Sequence, residues 1–154
     1  MVRKSARFID IFHCNNDEAK SMTGIEDEKQ AVKELLSLGI TLPVISMGER
    51  GLICGYKNSL YIFPPFRINL ADATGAGDAF CAGVMRKIID FKGRSLKKIF
   101  LLDENELMDA MLYGAAVGAV CVTAAGTTTN VCEQKVNELI KDQGHMILES
   151  VIKR

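Results

Sequence analysis

The chain has 154 residues, of which 48% are hydrophobic and 25% charged, the size and balance of one ordinary globular domain rather than of a disordered tail or a fibrous repeat. Nineteen basic residues offset nineteen acidic ones, and a pI near 6.7 lacks the broad field that nucleic-acid and membrane-surface partners require, so neither is expected. Five scattered cysteines, Cys14, Cys54, Cys81, Cys121 and Cys132, suit reduced thiols and a cytoplasmic location better than a disulfide framework, and no C-x-x-C pair suggests zinc. The N-terminus meets Asp10 before any long apolar run, and the stretch 111–125 falls short of the roughly 18 apolar residues of a membrane span. Neither a signal peptide nor a membrane segment is expected.

In chain order, Phe8–His13 reads as a short β strand stopped by Cys14-Asn15-Asn16-Asp17, a cluster that ends strands and starts helices. Residues Glu26–Leu38 place Ala31, Val32, Leu35 and Leu36 at helical spacing, with Gly39 as C-cap. Leu42–Met47 reads as a buried strand, and Gly48–Gly51 leads to hairpin strands at Leu52–Cys54 and Ser59–Phe63. After Pro64-Pro65, Phe66–Ala71 is read as a strand and Ala79–Ile89 as an apolar helix. Lys92-Gly93-Arg94 suggests a loop leading into a short helix before Asp103. Glu104–Val122 is a second long helix. Its glycines and alanines cost helix propensity and imply close backbone approach to another element. Ala124–Asn130 is turn-rich, Glu133–Lys141 is an amphipathic helix, and the pattern after Gly144 is ambiguous. No linker or repeat divides the chain, so residues 1–154 are expected to form a single α/β domain.

The segment that carries chemistry is Asp72-Ala-Thr-Gly-Ala-Gly-Asp78-Ala-Phe80, set between the expected strand and helix. Gly75 and Gly77 let backbone N–H groups turn toward one point, and a helix starting there adds partial positive charge, so a phosphate is the natural guest. No Gly-Lys-Ser/Thr follows, which removes a P-loop, and Phe80 stands where a dinucleotide fingerprint needs its third glycine. The competing account is a tight strand-to-helix turn with Asp78 complementing the helix dipole. Likewise Asn15 and Glu18 fit a capping box, and Gly48 and Gly51 fit ordinary turn glycines.

Asp72 to Phe80 resembles throughout the signature D-x-x-G-A-G-D-x-F of the ribokinase-like, or PfkB, carbohydrate kinases. Asn15-Asn-Asp-Glu18 is similar to the family's N-x-x-E, and Ser46-Met-Gly-Glu-Arg-Gly51 to its T-x-G-x-x-G, in the family's order. Val122–Gly126 is similar to the segment that closes the nucleotide site. The resemblance implies a ribokinase-like α/β fold, a mainly parallel sheet flanked by helices, and ATP-dependent phosphoryl transfer to a sugar or nucleoside hydroxyl. It implies Asp78 as catalytic base, with Gly75, Ala76 and Gly77 as the backbone anion hole. Asn15 and Glu18 would organise Mg2+ through water. Ser46, Gly48 and Gly51 would line the nucleotide's phosphates and ribose, and Gly114 and the loop near Gly126 would wall the adenine. Asp72, the Thr74 backbone and the Gly126 loop would hold K+ in members that use it.

Ser46 in place of Thr keeps the hydroxyl, whereas Ala124-Ala125 in place of a more polar pair weakens the K+ inference. The resemblance implies a family chain about twice this long, so the N-terminal half with the sugar contacts and the lid is expected to lie outside these residues. A homo-oligomer or a complementing N-terminal half is therefore a partner expectation beside nucleotide and sugar. Two other readings stand beside the kinase: a non-catalytic nucleotide-binding fragment, and a phosphate-binding α/β domain of another family.

Overall fold

A computed structural model describes residues 5–92, 101–126 and 129–154. Although the sequence is read as one domain over 1–154, its packing divides the chain into two compact units, Met1–Pro65 with Ser150–Arg154, and Phe66–Glu149.

The first unit is built on a five-stranded sheet in the order β1 to β5: β1 Ile11–Asn15, β2 Leu42–Ser46, β3 Leu52–Tyr56, β4 Ser59–Phe63 and β5 Ile152–Lys153. Helices α1, Asn16–Thr23, and α2, Glu28–Ser37, form the crossover between β1 and β2. Only β1 and β2 are parallel, in register from Ile11↔Leu42 to Asn15↔Ser46, while β2–β3, β3–β4 and β4–β5 are antiparallel. The sheet is thus mixed, not mainly parallel. The short connections at 47–51 and 57–58 can only reverse the chain, whereas a parallel pair needs a crossover of a dozen or more residues.

The first strand starts later than its apolar run suggests. Ala6–Phe8 forms a 3-10 turn, Ile9 N–H donates to Ala6 O at 3.0 Å, and fully buried Ala6 packs with Leu35 and Ile40. That packing spends the first apolar residues on the turn. Helix α2 is capped by the Asp27 side chain, which accepts from Gln30 N–H. It ends as its sequence predicts: Gly39 N–H donates to Leu36 O at 2.9 Å and Ile40 N–H to Leu35 O at 3.3 Å, the paired bonds of a Schellman motif. Its buried face, Ala31 and Val32, joins Cys14, Ala19, Ile45, Ile53 and Leu60 in the core of this unit.

The second unit is helical: α3 Ala76–Lys92, α4 Glu104–Cys121 and α5 Glu133–Glu149. The strand expected at Phe66–Ala71 does not form. Its backbone is satisfied otherwise, Arg67 N–H donating to Gln143 Oε1 at 2.8 Å and Ala71 N–H to Val122 O at 2.8 Å. Helix α4 carries a capping box between Asp103 and Glu106. Its small residues serve close approach to α3, as the sequence implies: a Cβ on Gly83 would stand 2.9 Å from Gly114 Cα. Helix α5 continues past Lys141 to Glu149 with Gly144 on its buried face, where a Cβ would stand 3.0 Å from Ile140 Cγ2 and 3.3 Å from Leu112 Cδ2 of α4. The loop and short helix expected from Lys92 to Asp103 fall largely outside the described residues. Among the described residues no helix is long and apolar enough to cross a membrane.

Candidate functional site

In the second unit the Asp72–Phe80 segment is a loop that runs into α3. The helix begins at Ala76, three residues earlier than its apolar pattern predicts, so Ala76, Gly77 and Asp78 form its first turn. Gly75 makes the turn possible at φ +81°, a conformation that disfavours any side chain, and its carbonyl accepts from Ala79 N–H at 2.9 Å. The first N–H groups of an α-helix have no acceptor within it and carry the positive end of its dipole. Ala76 N–H donates to Ala73 O at 3.4 Å, so the Gly75 and Gly77 N–H groups are the candidate donors to an anion, with the exposed Asp78 carboxylate on the same turn.

Asp72 joins this loop to the segment after α4. Its Oδ1 accepts from Thr74 N–H at 2.9 Å, and its Oδ2 from Gly126 N–H at 3.4 Å. Asp72 N–H in turn donates to Val122 O at 3.2 Å, and Cys121 Sγ lies 3.8 Å from Thr74 O. Hydrogen bonding from Thr74, then from Gly126, holds the Asp72 carboxyl below the usual carboxylate range. Asp72, Thr74 and Gly126 are thus brought together by hydrogen bonds. A carboxylate accepting two N–H groups retains further lone pairs for a cation.

The thiolate form is disfavoured at the cysteines near this loop. Burial, then the Asp78 charge, raises the Cys81 thiol, and burial, then Asp72 and Asp78, raises that of Cys121. Burial above all pushes Cys14 up to about 12 and raises Cys54 as well.

At Gly114 the neighbouring helix accounts for the missing side chain. A Cβ there would lie 2.4 Å from Val84 Cγ2 and 3.0 Å from Phe80 O, so the space its missing side chain leaves is filled by α3. The glycine serves helix packing, and no room for an adenine ring follows from it.

In the first unit Asn15 and Glu18 form a full capping box at the start of α1. Asn15 Oδ1 accepts from Glu18 N–H at 2.9 Å and Glu18 Oε2 from Asn15 N–H at 2.8 Å. The box uses one Glu18 oxygen and leaves Oε1 on an exposed side chain, a donor suited to contact with magnesium through its water shell. Among the described residues no group of three or more His, Cys, Asp or Glu is placed to hold a metal directly. Ser46 ends β2 opposite Asn15, its hydroxyl 3.5 Å from Cys14 O. Gly48 and Gly51 bracket a 3-10 turn at φ +57° and +85°. At Gly51 a Cβ would stand 2.0 Å from Phe63 O, so glycine is required for the turn to lie against the end of β4.

The sequence reading missed Asn16, Glu28 and Arg50. Arg50 Nη2 donates to Glu28 Oε1 at 2.6 Å. In the amide orientation that satisfies both of its ends, Asn16 accepts from Arg50 Nη2 at 2.6 Å and donates to Ser46 O at 3.1 Å. Asn16 and Arg50 lie inside the two upstream motifs but at their variable positions, so nothing local singles them out.

Over residues 1–134 the chain matches the pfkB family of carbohydrate kinases, and it belongs to that family. A ribokinase of Haemophilus influenzae is 30% identical over 128 residues, covering 80% of this chain and 38% of the relative. The aminoimidazole riboside kinase of Salmonella typhimurium is 30% identical over 129 residues, covering 84% and 38%. The crystal structure of aminoimidazole riboside kinase from Salmonella enterica, complexed with aminoimidazole riboside and an ATP analog, matches with a TM-score of 0.75 at 28% identity. That match covers 90% of this chain and 44% of that one. A fructokinase from Vibrio cholerae in its fructose-, ADP- and calcium-bound form gives a TM-score of 0.76 at 21% identity, a likeness of fold alone. The fold is ribokinase-like, and the chain spans 38% of the length of the first two relatives.

Proposed function

We propose that this chain carries the nucleotide-side machinery of an ATP-dependent kinase that phosphorylates a hydroxyl of a sugar or nucleoside. One observation carries the reading: the Asp72–Phe80 segment is a loop whose glycines open a helix, with Asp78 in the first turn and Asp72 tied to Gly126. The backbone of Gly75, Ala76 and Gly77 faces the charge that grows on the transferring phosphoryl group, and fixed N–H dipoles stabilise such charge at little reorganisation cost. Asp78 accepts the proton of the attacking hydroxyl. A carboxylate at the positive end of a helix is a weak base, and this suffices because the transition state of phosphoryl transfer is loose and positioning carries most of the rate.

Asn15 and Glu18 would hold magnesium through water, an ion that neutralises charge on the nucleotide's phosphates when bound. Ser46, Gly48 and Gly51 would line those phosphates and the ribose, and Asp72, Thr74 and the Gly126 loop would take K+. A cytoplasmic location belongs to the same reading, on the strength of the reduced-thiol pattern. The second reading is a nucleotide-binding chain without catalysis of its own; the chain spans 38% of the length of the first two kinases it resembles. The residues that would orient the acceptor are expected outside these 154.

Calorimetric titration with ATP, with and without magnesium, tests nucleotide binding. Saturable heat that deepens with magnesium is expected. Neither heat nor thermal stabilisation at millimolar ligand would remove both readings. A coupled ADP-release assay over pentoses, hexoses and nucleosides then separates the two, since acceptor-dependent turnover by the chain alone excludes the second.

A further inference from the structure

Two residues, Asn16 and Glu28, meet around the Arg50 guanidinium in the first unit, away from the Asp72–Phe80 signature. Arg50 closes the 3-10 turn that follows β2, Glu28 opens α2, and Asn16 opens α1. Arg50 reaches Glu28 Oε1 at 2.6 Å and the Asn16 amide oxygen at 2.6 Å, while the Asn16 nitrogen donates to Ser46 O at 3.1 Å. One cation thus joins residues 16, 28 and 50, and through Asn16 the end of β2.

The turn itself needs such support. Its own bonds are local, Met47 N–H to Gly51 O at 2.8 Å, Arg50 N–H to Met47 O at 3.1 Å and Gly51 N–H to Gly48 O at 3.0 Å. Both bracketing glycines hold left-handed backbone conformations, φ +57° and +85°, which glycine adopts at no steric cost but does not itself enforce. The Arg50 side chain, although 59% exposed, has an acceptor on each of two helices, and Glu28 is only 24% exposed. The hydrogen bond from Arg50 also lowers the Glu28 carboxyl below its ordinary value, in keeping with a maintained pair.

We propose that Asn16, Arg50 and Glu28 form a clasp that positions the Gly48–Gly51 turn against the start of α1, and through the turn sets nucleotide affinity. The affinity consequence rests on the reading of Ser46, Gly48 and Gly51 as phosphate-lining residues. The three are positioning residues: none needs to touch the nucleotide.

Amide hydrogen exchange on the free chain and calorimetric ATP titration test the proposal, using R50M, R50K, E28Q and N16A, each checked for folding by circular dichroism. R50M and E28Q are each expected to speed exchange across residues 47–51 about two- to fivefold, the scale of a partly exposed ion pair, with β3 and β4 unchanged. ATP affinity should fall by a similar factor. The E28Q/R50M double variant should be no worse than either single one, as expected of residues acting through one contact, and R50K should restore part of the loss. Unchanged exchange at the turn in folded R50M and E28Q would overturn the clasp even with ATP binding intact. Tighter ATP binding in E28Q with weaker binding in R50M would overturn it too, since Arg50 would then be a direct phosphate ligand released by loss of Glu28. If the unaltered chain binds no ATP, the affinity consequence falls with the function reading, and faster turn exchange in the variants would still establish the clasp.

Discussion

Adding one methyl group at Gly114 separates helix packing from nucleotide binding. In Gly114→Ala the new Cβ lies 2.4 Å from Val84 Cγ2, 3.0 Å from Phe80 O and 3.2 Å from Phe80 Cδ2. Carbon atoms in contact sit about 3.5–4.0 Å apart, so the first overlap exceeds about 1 Å, and Val84 is fully buried with nowhere to turn. Overpacking of this kind costs about 1–3 kcal/mol. Replacing glycine by alanine inside a helix returns about 1 kcal/mol. An overlap this deep takes the upper part of that range, about 2–3 kcal/mol, so a net destabilisation of about 1–2 kcal/mol follows, read from the urea midpoint at unchanged slope. Val84→Ala vacates the space into which the methyl would project. Gly114→Ala with Val84→Ala should therefore be more stable than the sum of the two single changes by about 1–2 kcal/mol. ATP affinity should follow the folded fraction alone. Full stability with a large loss of ATP affinity in Gly114→Ala would refute the packing argument and return Gly114 to the nucleotide.

Gly51→Ala places a Cβ 2.0 Å from Phe63 O and 2.9 Å from Pro64 C at φ +85° and ψ −136°. The turn must move, and a cost above the roughly 1–3 kcal/mol of backbone strain alone is expected. Gly48→Ala, with open space around it, should cost no more than the strain, and equal urea midpoints for the two variants would contradict this. Because the Asp72 carboxyl is held below its ordinary value of 3.8, its contribution to stability is complete above that value. It is lost as the pH falls through the lowered one. Amide shifts of Thr74 and Gly126 followed by NMR in acid should report a midpoint below 3.8, and Asp72→Asn should abolish the transition. In a longer polypeptide that carries the acceptor side of the kinase fold, Asp78→Asn should remove turnover while ATP affinity holds, because the amide keeps the shape but accepts no proton. Equal loss of both would assign Asp78 to structure.

Local chemistry made much of the molecule legible from its residues. Gly39 marks the end of α2 because a left-handed residue there satisfies two orphan carbonyls. The helical run from Glu104 was legible too, while the Asp103–Glu106 capping box that starts α4 came from the structure. The Asp72–Phe80 signature was readable for the same reason, as its turn, its helix start and its carboxylate lie within nine consecutive positions. The apolar run at Phe8–His13 misled because Ala6 finds its partners, Leu35 and Ile40, about thirty residues away. Phe66–Ala71 has a strand's composition, and its backbone is taken instead by Gln143 and Val122.

Sequence alone determined the positions where the backbone must turn and where helix dipoles meet acidic groups, because these depend on neighbours three or four residues apart. It also determined the family, through three short motifs in order. Tertiary structure alone decided the use of Gly114 and the meeting of Asn16, Glu28 and Arg50. Each of these depends on which distant side chain occupies the adjoining space, and glycine reads the same in sequence whether it admits a ligand or a neighbouring helix.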